Sequence, residues 1–274
     1  MMTPTMLCPF MPASVHAILV GIQSEIRFPA GHAGFPSHVI AEWRHGTSFA
    51  RLWSMMHRIA SARAGITPAD VAFVESVLAA NGESAALAKL WNDPEAVTAL
   101  LDLREIHRAL LESPVALPVS PSLYFYVLVR HAFVDGGIDH PGLADYVAGV
   151  LVEKLDSRHS SSRPGSMPGW VTHAVDFISI IQSTGGMLRF QLEVAAGDQF
   201  LVLTGIFAGF LHQRAERSGA PGPAFYESFA RQSYRNAANR PGVAGDTREL
   251  LYLLSEAFPL ARASLNRMTD RCLF

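Results

Sequence analysis

Lysine is almost missing from this sequence. Of 22 basic residues, only Lys89 and Lys154 are lysines, and the rest are arginine. A G+C-rich coding bias produces such a skew. So does selection for the planar guanidinium, which grips anions through two parallel hydrogen bonds. Cysteine is as scarce. Cys8 and Cys272 stand near opposite ends of the chain, which leaves no disulfide framework and no zinc-ligand spacing and suits two reduced cytosolic thiols. An excess of one charge is also lacking. With 24 acidic and 22 basic residues the formal net charge is -2, so no global field draws in nucleic acid or an anionic membrane. The longest apolar run, Phe200 to Leu211, falls short of the roughly 20 residues that a membrane span requires. Met1 to Phe10 carries no basic n-region, so no secretory signal is expected. These features predict a soluble cytoplasmic protein with no nucleic-acid partner and no membrane span.

What the chain does have is apolar mass and helix punctuation. It is 274 residues long, 49% hydrophobic and 17% charged, enough to bury a core without staples. Residues 1–47 are the least legible: Val15 to Ile22 is apolar and Pro29 to Pro36 breaks the pattern. A helix from Thr47 or Ser48 then closes at Gly65, so 1–66 reads as a poorly defined N-terminal segment ending in a helix. Beyond them, helix starts recur. Thr67-Pro68-Ala69-Asp70 has the form of a capping box with proline in the first turn. Asp93-Pro94 and Ser120-Pro121 repeat that logic, Pro223 opens another helix and Asp246-Thr247 the last, which Pro259 should kink or end. Ser84 to Trp91 reads as a short helix. Leu143, Tyr146, Val147, Val150, Leu151 and Leu155 form an amphipathic stripe. Asp198 is placed to cap the helix holding the long apolar run, with Gly219 at its end. The prediction is an all-α, multi-helix bundle of about nine to eleven helices. Its two central, all-round apolar helices are Leu123 to Val134 and Phe200 to Leu211; a strand reading of Leu123 to Val129 competes, because Tyr, Phe and Val favour strands. Residues 67–274 read as one helical domain with a flexible, Ser/Pro/Gly-rich loop near 157–169.

Strong catalytic signatures are missing. No glycine-rich phosphate loop, G-x-S-x-G elbow or H-E-x-x-H helix occurs. One Glu-x-x-His unit, Glu42 to His45, is too little for a di-iron bundle, which needs two such units and two further carboxylates. No metal and no cofactor is therefore expected. Several polar residues still look out of place in a plain core. His131 and Asp135 share a helix face beside Arg130, where a carboxylate orients an imidazole or a helix C-terminus simply favours it. His212 and Glu216 are four apart, with Gln213 and Arg217 a quarter-turn aside; they suit a ligand pair or a solvated helix end. His173 and Asp176 repeat the pattern more weakly. Tyr226, Glu227, Arg231 and Tyr234 set aromatic rings beside a guanidinium, an arrangement that stacks on a flat ligand or reads a carboxylate or phosphate, or ties one helix to its neighbours. Glu227 and Arg231 are spaced to pair, and Asn266 with Asp270 could join them. The candidate ligand-binding set is Arg130, His131, His212, Glu216, Arg217, Tyr226, Arg231 and Tyr234; no catalytic residue is assigned.

Six segments carry a resemblance. They are Ser120 to Arg130 (SPSLYFYVLVR), Asp145 to Ala148 (DYVA), Gly197 to Phe207 (GDQFLVLTGIF), Glu216 to Pro221 (ERSGAP), Phe225-Tyr226-Glu227 with Tyr234-Arg235, and Leu265 to Leu273 (LNRMTDRCL). In this order and spacing they resemble a family of uncharacterised bacterial all-helical cytosolic proteins, over roughly residues 67–274. The chain departs from the pattern at Ala208, where proline is expected, and at Phe229-Ala230, where Met-Gly is. The resemblance implies a bacterial, cytosolic, all-α protein and no particular activity. The resulting expectation is a cytosolic binding, scaffolding or regulatory protein without catalytic activity, whose partner is an unidentified protein or small molecule. The alternative is a small-molecule sensor or enzyme that uses the His/Glu/Arg/Tyr cluster.

Overall fold

A computed structural model describes residues 60–79, 90–112, 119–160 and 174–272. Helix accounts for 82% of them, in ten α-helices, and no strand occurs among the described residues. After a 3-10 turn at Arg63–Gly65 come α1 (Pro68–Ala79), α2 (Pro94–Leu101), α3 (Arg104–Glu112), α4 (Pro121–Asp135) and α5 (Pro141–Ser160). Then follow α6 (Ala174–Ser183), α7 (Gly186–Gly205), α8 (Ala208–Ser218), α9 (Pro223–Ala238) and α10 (Gly245–Cys272). The all-α expectation holds, and Leu123 to Val129 is helix rather than strand. The segments Thr47 to Ile59 and Glu42 to His45, and most of Ser84 to Trp91, lie outside the described residues.

By compactness the described chain parts into two units. One comprises Ser61–Val152 with the end of α10 from Ala263; the other comprises Glu153–Arg262. In the first, α1 packs on α3, α3 on α4, and α4 on the 3-10 turn. The starts of these helices are set by local chemistry. Asp70 Oδ2 accepts from the Thr67 backbone N–H at 2.7 Å and from the Thr67 hydroxyl at 2.8 Å, closing the predicted box. Asp70 is fully buried because its other oxygen accepts the Ser120 N–H at 2.6 Å, tying the start of α1 to the start of α4. Ser120 in turn accepts from the Leu123 N–H at 3.2 Å, and Asp93 caps α2 through Glu95 at 3.0 Å. Every residue from Ser122 to Arg130 is buried, so α4 is enclosed on all sides, as its unbroken apolar pattern requires. Helix α5 differs from its expected stripe. Leu143 to Leu151 is buried without interruption, because Ala144, Ala148 and Gly149 allow neighbours to close over the faces between the large residues.

In the second unit the most extensive helix pair is α7 with α9, flanked by α6 and α8. Phe200 sits at the centre of an aromatic cluster. Its ring lies 5.1 Å from Tyr226 in a stacked arrangement and meets Phe177 and Phe229 edge-on at 5.7 Å and 5.5 Å. The apolar run is not one helix. It breaks at Ile206–Phe207, both buried, and α8 leaves α7 at 86°. Ala208 is the first residue of α8, the position where proline is favoured and where the resemblance expects it. Asp198 therefore lies inside α7 rather than at its cap, and the helix starts after Gly185. Gly219 ends α8 in the left-handed region at φ 61°. Pro259 does not end α10, which runs on to Cys272. Among the described residues no single helix is long and apolar enough to cross a membrane.

Candidate functional site

Arg130 and His131 belong to the first unit, and the other six candidates to the second.

In the first unit, Arg130 is buried on the last turns of α4. Its Nε and Nη2 fork onto Asp102, at 2.9 Å and 2.8 Å, and Nη2 also donates to Asp139 at 2.7 Å. Burial works against the guanidinium charge, but the two carboxylates outweigh it and hold the group firmly protonated. Nη1 is buried with no hydrogen-bond partner. One turn earlier on the same face, the Tyr126 hydroxyl is also buried and unpartnered. Burial pushes this phenol up to about 12; Arg63 and Arg130 oppose the rise, and Asp102 and Asp145 reinforce it. Arg63 lies over the Tyr126 ring at 5.6 Å and pairs with Asp145 at 3.5 Å. Asp145 also accepts the Arg63 N–H at 2.7 Å, which fixes the 3-10 turn against α5.

His131 stacks on His107 of α3, with ring centroids 4.2 Å apart and planes at 15°. Two imidazoles stacked this closely cannot both carry charge cheaply. Burial is the main cause that lowers His107 from 6.5 to about 4; His131 adds to it and Asp135 opposes it. Burial also lowers His131, with Asp102 and Asp135 opposing and Arg130 and Arg104 assisting. His131 and Asp135 thus interact through the field, while the contact partner of His131 is His107. The folded state binds fewer protons than the unfolded chain between about 4 and 6.5, so stability is full above 6.5 and is lost as pH falls towards 4. Thermal unfolding followed against pH should show this decline. His107→Phe, which keeps a stacked ring without its proton site, should flatten it; an unchanged slope would show that the pair is not its source.

In the second unit the polar candidates are largely absorbed into the fold. Tyr226 is core, stacked on Phe200. The Tyr234 hydroxyl donates to Asp198 at 2.8 Å. Glu227 pairs with Arg262 at 2.8 Å. Arg231 donates from Nε to the Ser255 carbonyl at 2.9 Å. This is the carbonyl that Pro259, four residues on and lacking an N–H, leaves without its helical donor. Arg231 thus supplies the donor that Pro259 lacks, and α10 continues past the proline. His212, Glu216 and Arg217 are exposed together on α8. His173 lies outside the described residues.

Sequence reasoning missed Asp102, Asp139 and His107, which reach Arg130 and His131 through tertiary packing with no local spacing to reveal them. It also missed Glu193, buried at 1% exposure and held by Arg240 through bonds of 2.9 Å and 2.5 Å and by Arg189 at 3.3 Å. No group of three or more metal-ligating side chains gathers among the described residues. No family model, curated protein or solved structure matches the chain.

Proposed function

We propose that the protein is a helical binding protein of scaffolding or regulatory type that docks a protein partner on α8. One contrast carries this reading. Arg130, Arg231 and Tyr234 spend donors on internal acceptors, whereas His212, Glu216 and Arg217 stand exposed on one short helix. Polar groups at a rim, varied in charge and free to turn, suit recognition of another protein's surface. A bacterial, cytosolic setting follows from the family resemblance and belongs to the same proposal. Cross-linking full-length protein in lysate of its own host tests it. The triple variant His212→Ala, Glu216→Ala, Arg217→Ala should lose the cross-linked species at an unchanged Tm, because surface substitutions usually stay within about 0.5 kcal/mol. The same species retained by that variant would refute docking on α8.

A second reading, a small-molecule sensor, is favoured by the buried, unpartnered Arg130 Nη1 and Tyr126 hydroxyl. Three aspartates, Asp102, Asp139 and Asp145, already face the two arginines around them. A neutral ligand with an acceptor oxygen therefore suits this place better than an anion.

A further inference from the structure

The second unit holds a polar group that neither reading uses. Lys154, on α5, donates to Gln199 Oε1 at 3.1 Å. Asp198, beside Gln199 on α7, accepts from the Tyr234 hydroxyl of α9 at 2.8 Å. Gln199 is buried at 2% exposure, and its amide Nε2 has no hydrogen-bond partner. Gly197 makes the arrangement fit, since the Tyr234 ring crosses α7 where a side chain on residue 197 would stand. Three helices thus bring two hydrogen-bonded pairs, Lys154–Gln199 and Tyr234–Asp198, onto neighbouring residues of α7, with the Asp198 carboxylate acting on the Lys154 charge. Lys154 itself is neither fully enclosed nor fully exposed.

The sequence supplies an independent observation. In a chain where 22 basic residues include only two lysines, one of the two stands in this cluster. Arginine would provide the charge and more hydrogen bonds. What lysine alone provides is an amine that loses its proton within reach of neutral pH and then acts as a nucleophile.

We propose that Lys154 is a carbonyl-reactive lysine, and that Lys154, Gln199, Asp198 and Tyr234 form a site for a small aldehyde or ketone. The neutral amine adds to the carbonyl carbon, and a proton moves from nitrogen to oxygen to give a carbinolamine. Loss of that hydroxyl as water, with the second nitrogen proton, leaves a C=N bond, so no oxidant or reductant is consumed. In this proposal the Gln199 amide, whose Nε2 has no partner, holds the carbonyl oxygen, and the hydrogen-bonded Tyr234–Asp198 couple passes the proton. Burial favours the neutral amine, and the carboxylates of Asp198 and Glu153 oppose it. The proposal stands apart from partner docking on α8, which involves other residues.

The chain's own composition simplifies the test. Full-length protein is treated with acetaldehyde and cyanoborohydride at neutral pH, and ethylation is mapped by peptide mass spectrometry, with Lys89 as internal reference. Lys154 should be modified on the order of tenfold faster than Lys89, because only the free amine attacks. In denaturant the two rates should converge, and Lys154→Arg should remove the fast label. If that variant does not fold, the wild-type comparison still decides. Labelling of Lys154 that is equal to or slower than that of Lys89 in the folded protein, or a difference that persists in denaturant, would overturn the proposal.

Discussion

Gly197→Ala should destabilise the second unit by about 3 kcal/mol, at the upper end of the usual cost of overpacking a core. In an exposed helix the same change would stabilise, since alanine exceeds glycine in helix propensity by about 1 kcal/mol. Here the new Cβ would stand 2.5–2.7 Å from three carbons of the Tyr234 ring. The ring cannot yield easily, because Tyr234 is fully buried and its hydroxyl is held on Asp198. The helix pair α7–α9 must then separate, or Tyr234 must leave its hydrogen bond. Chemical denaturation of the variant should show a lower midpoint. A variant as stable as the parent would mean that the Tyr234 ring does not lie against α7 at Gly197.

Arg231→Met should cost about 2 kcal/mol, the usual scale for a hydrogen bond from a charged donor. The informative part is the second substitution. In a Pro259→Ala background the restored N–H supplies the Ser255 carbonyl from within α10, so the cost of Arg231→Met should fall below about 1 kcal/mol. A double-mutant cycle reads that coupling directly. Strict additivity would indicate that Arg231 has a role other than repairing the proline gap. This is the sharpest change that the structure brings to the candidate set: Arg231, placed by sequence among ligand-binding residues, is accounted for by a proline 28 positions away.

Local chemistry was legible in the sequence. Asp70, Asp93 and Ser120 cap helices because the bond from side chain to backbone spans two or three residues, and Pro223 and Gly219 mark a start and a stop by their own backbone limits. Enclosure of α4 was legible too, because no position from Leu123 to Val129 can face water cheaply. The bend at Ile206–Phe207 was hidden. The run is apolar throughout, and Ala208 stands where a proline would have announced a new helix. The stripe on α5 misled for the opposite reason: small residues between the large ones left no sign that they too would be buried. The polar centres were least legible. Arg130 finds Asp102 across 28 residues and Glu193 finds Arg240 across 47, and no periodicity records such distances. The rarity of lysine was visible from the start, yet it gained meaning only when Lys154 came to lie beside Gln199.

The division of labour between interior and exposed polar groups is tested most directly by native mass spectrometry of full-length protein purified from its own host. The account predicts a retained protein partner, released by the triple substitution at His212, Glu216 and Arg217 while the fold persists. A small molecule retained without any protein, and lost on Tyr126→Phe, would contradict it and transfer the function to the Arg130 end of α4.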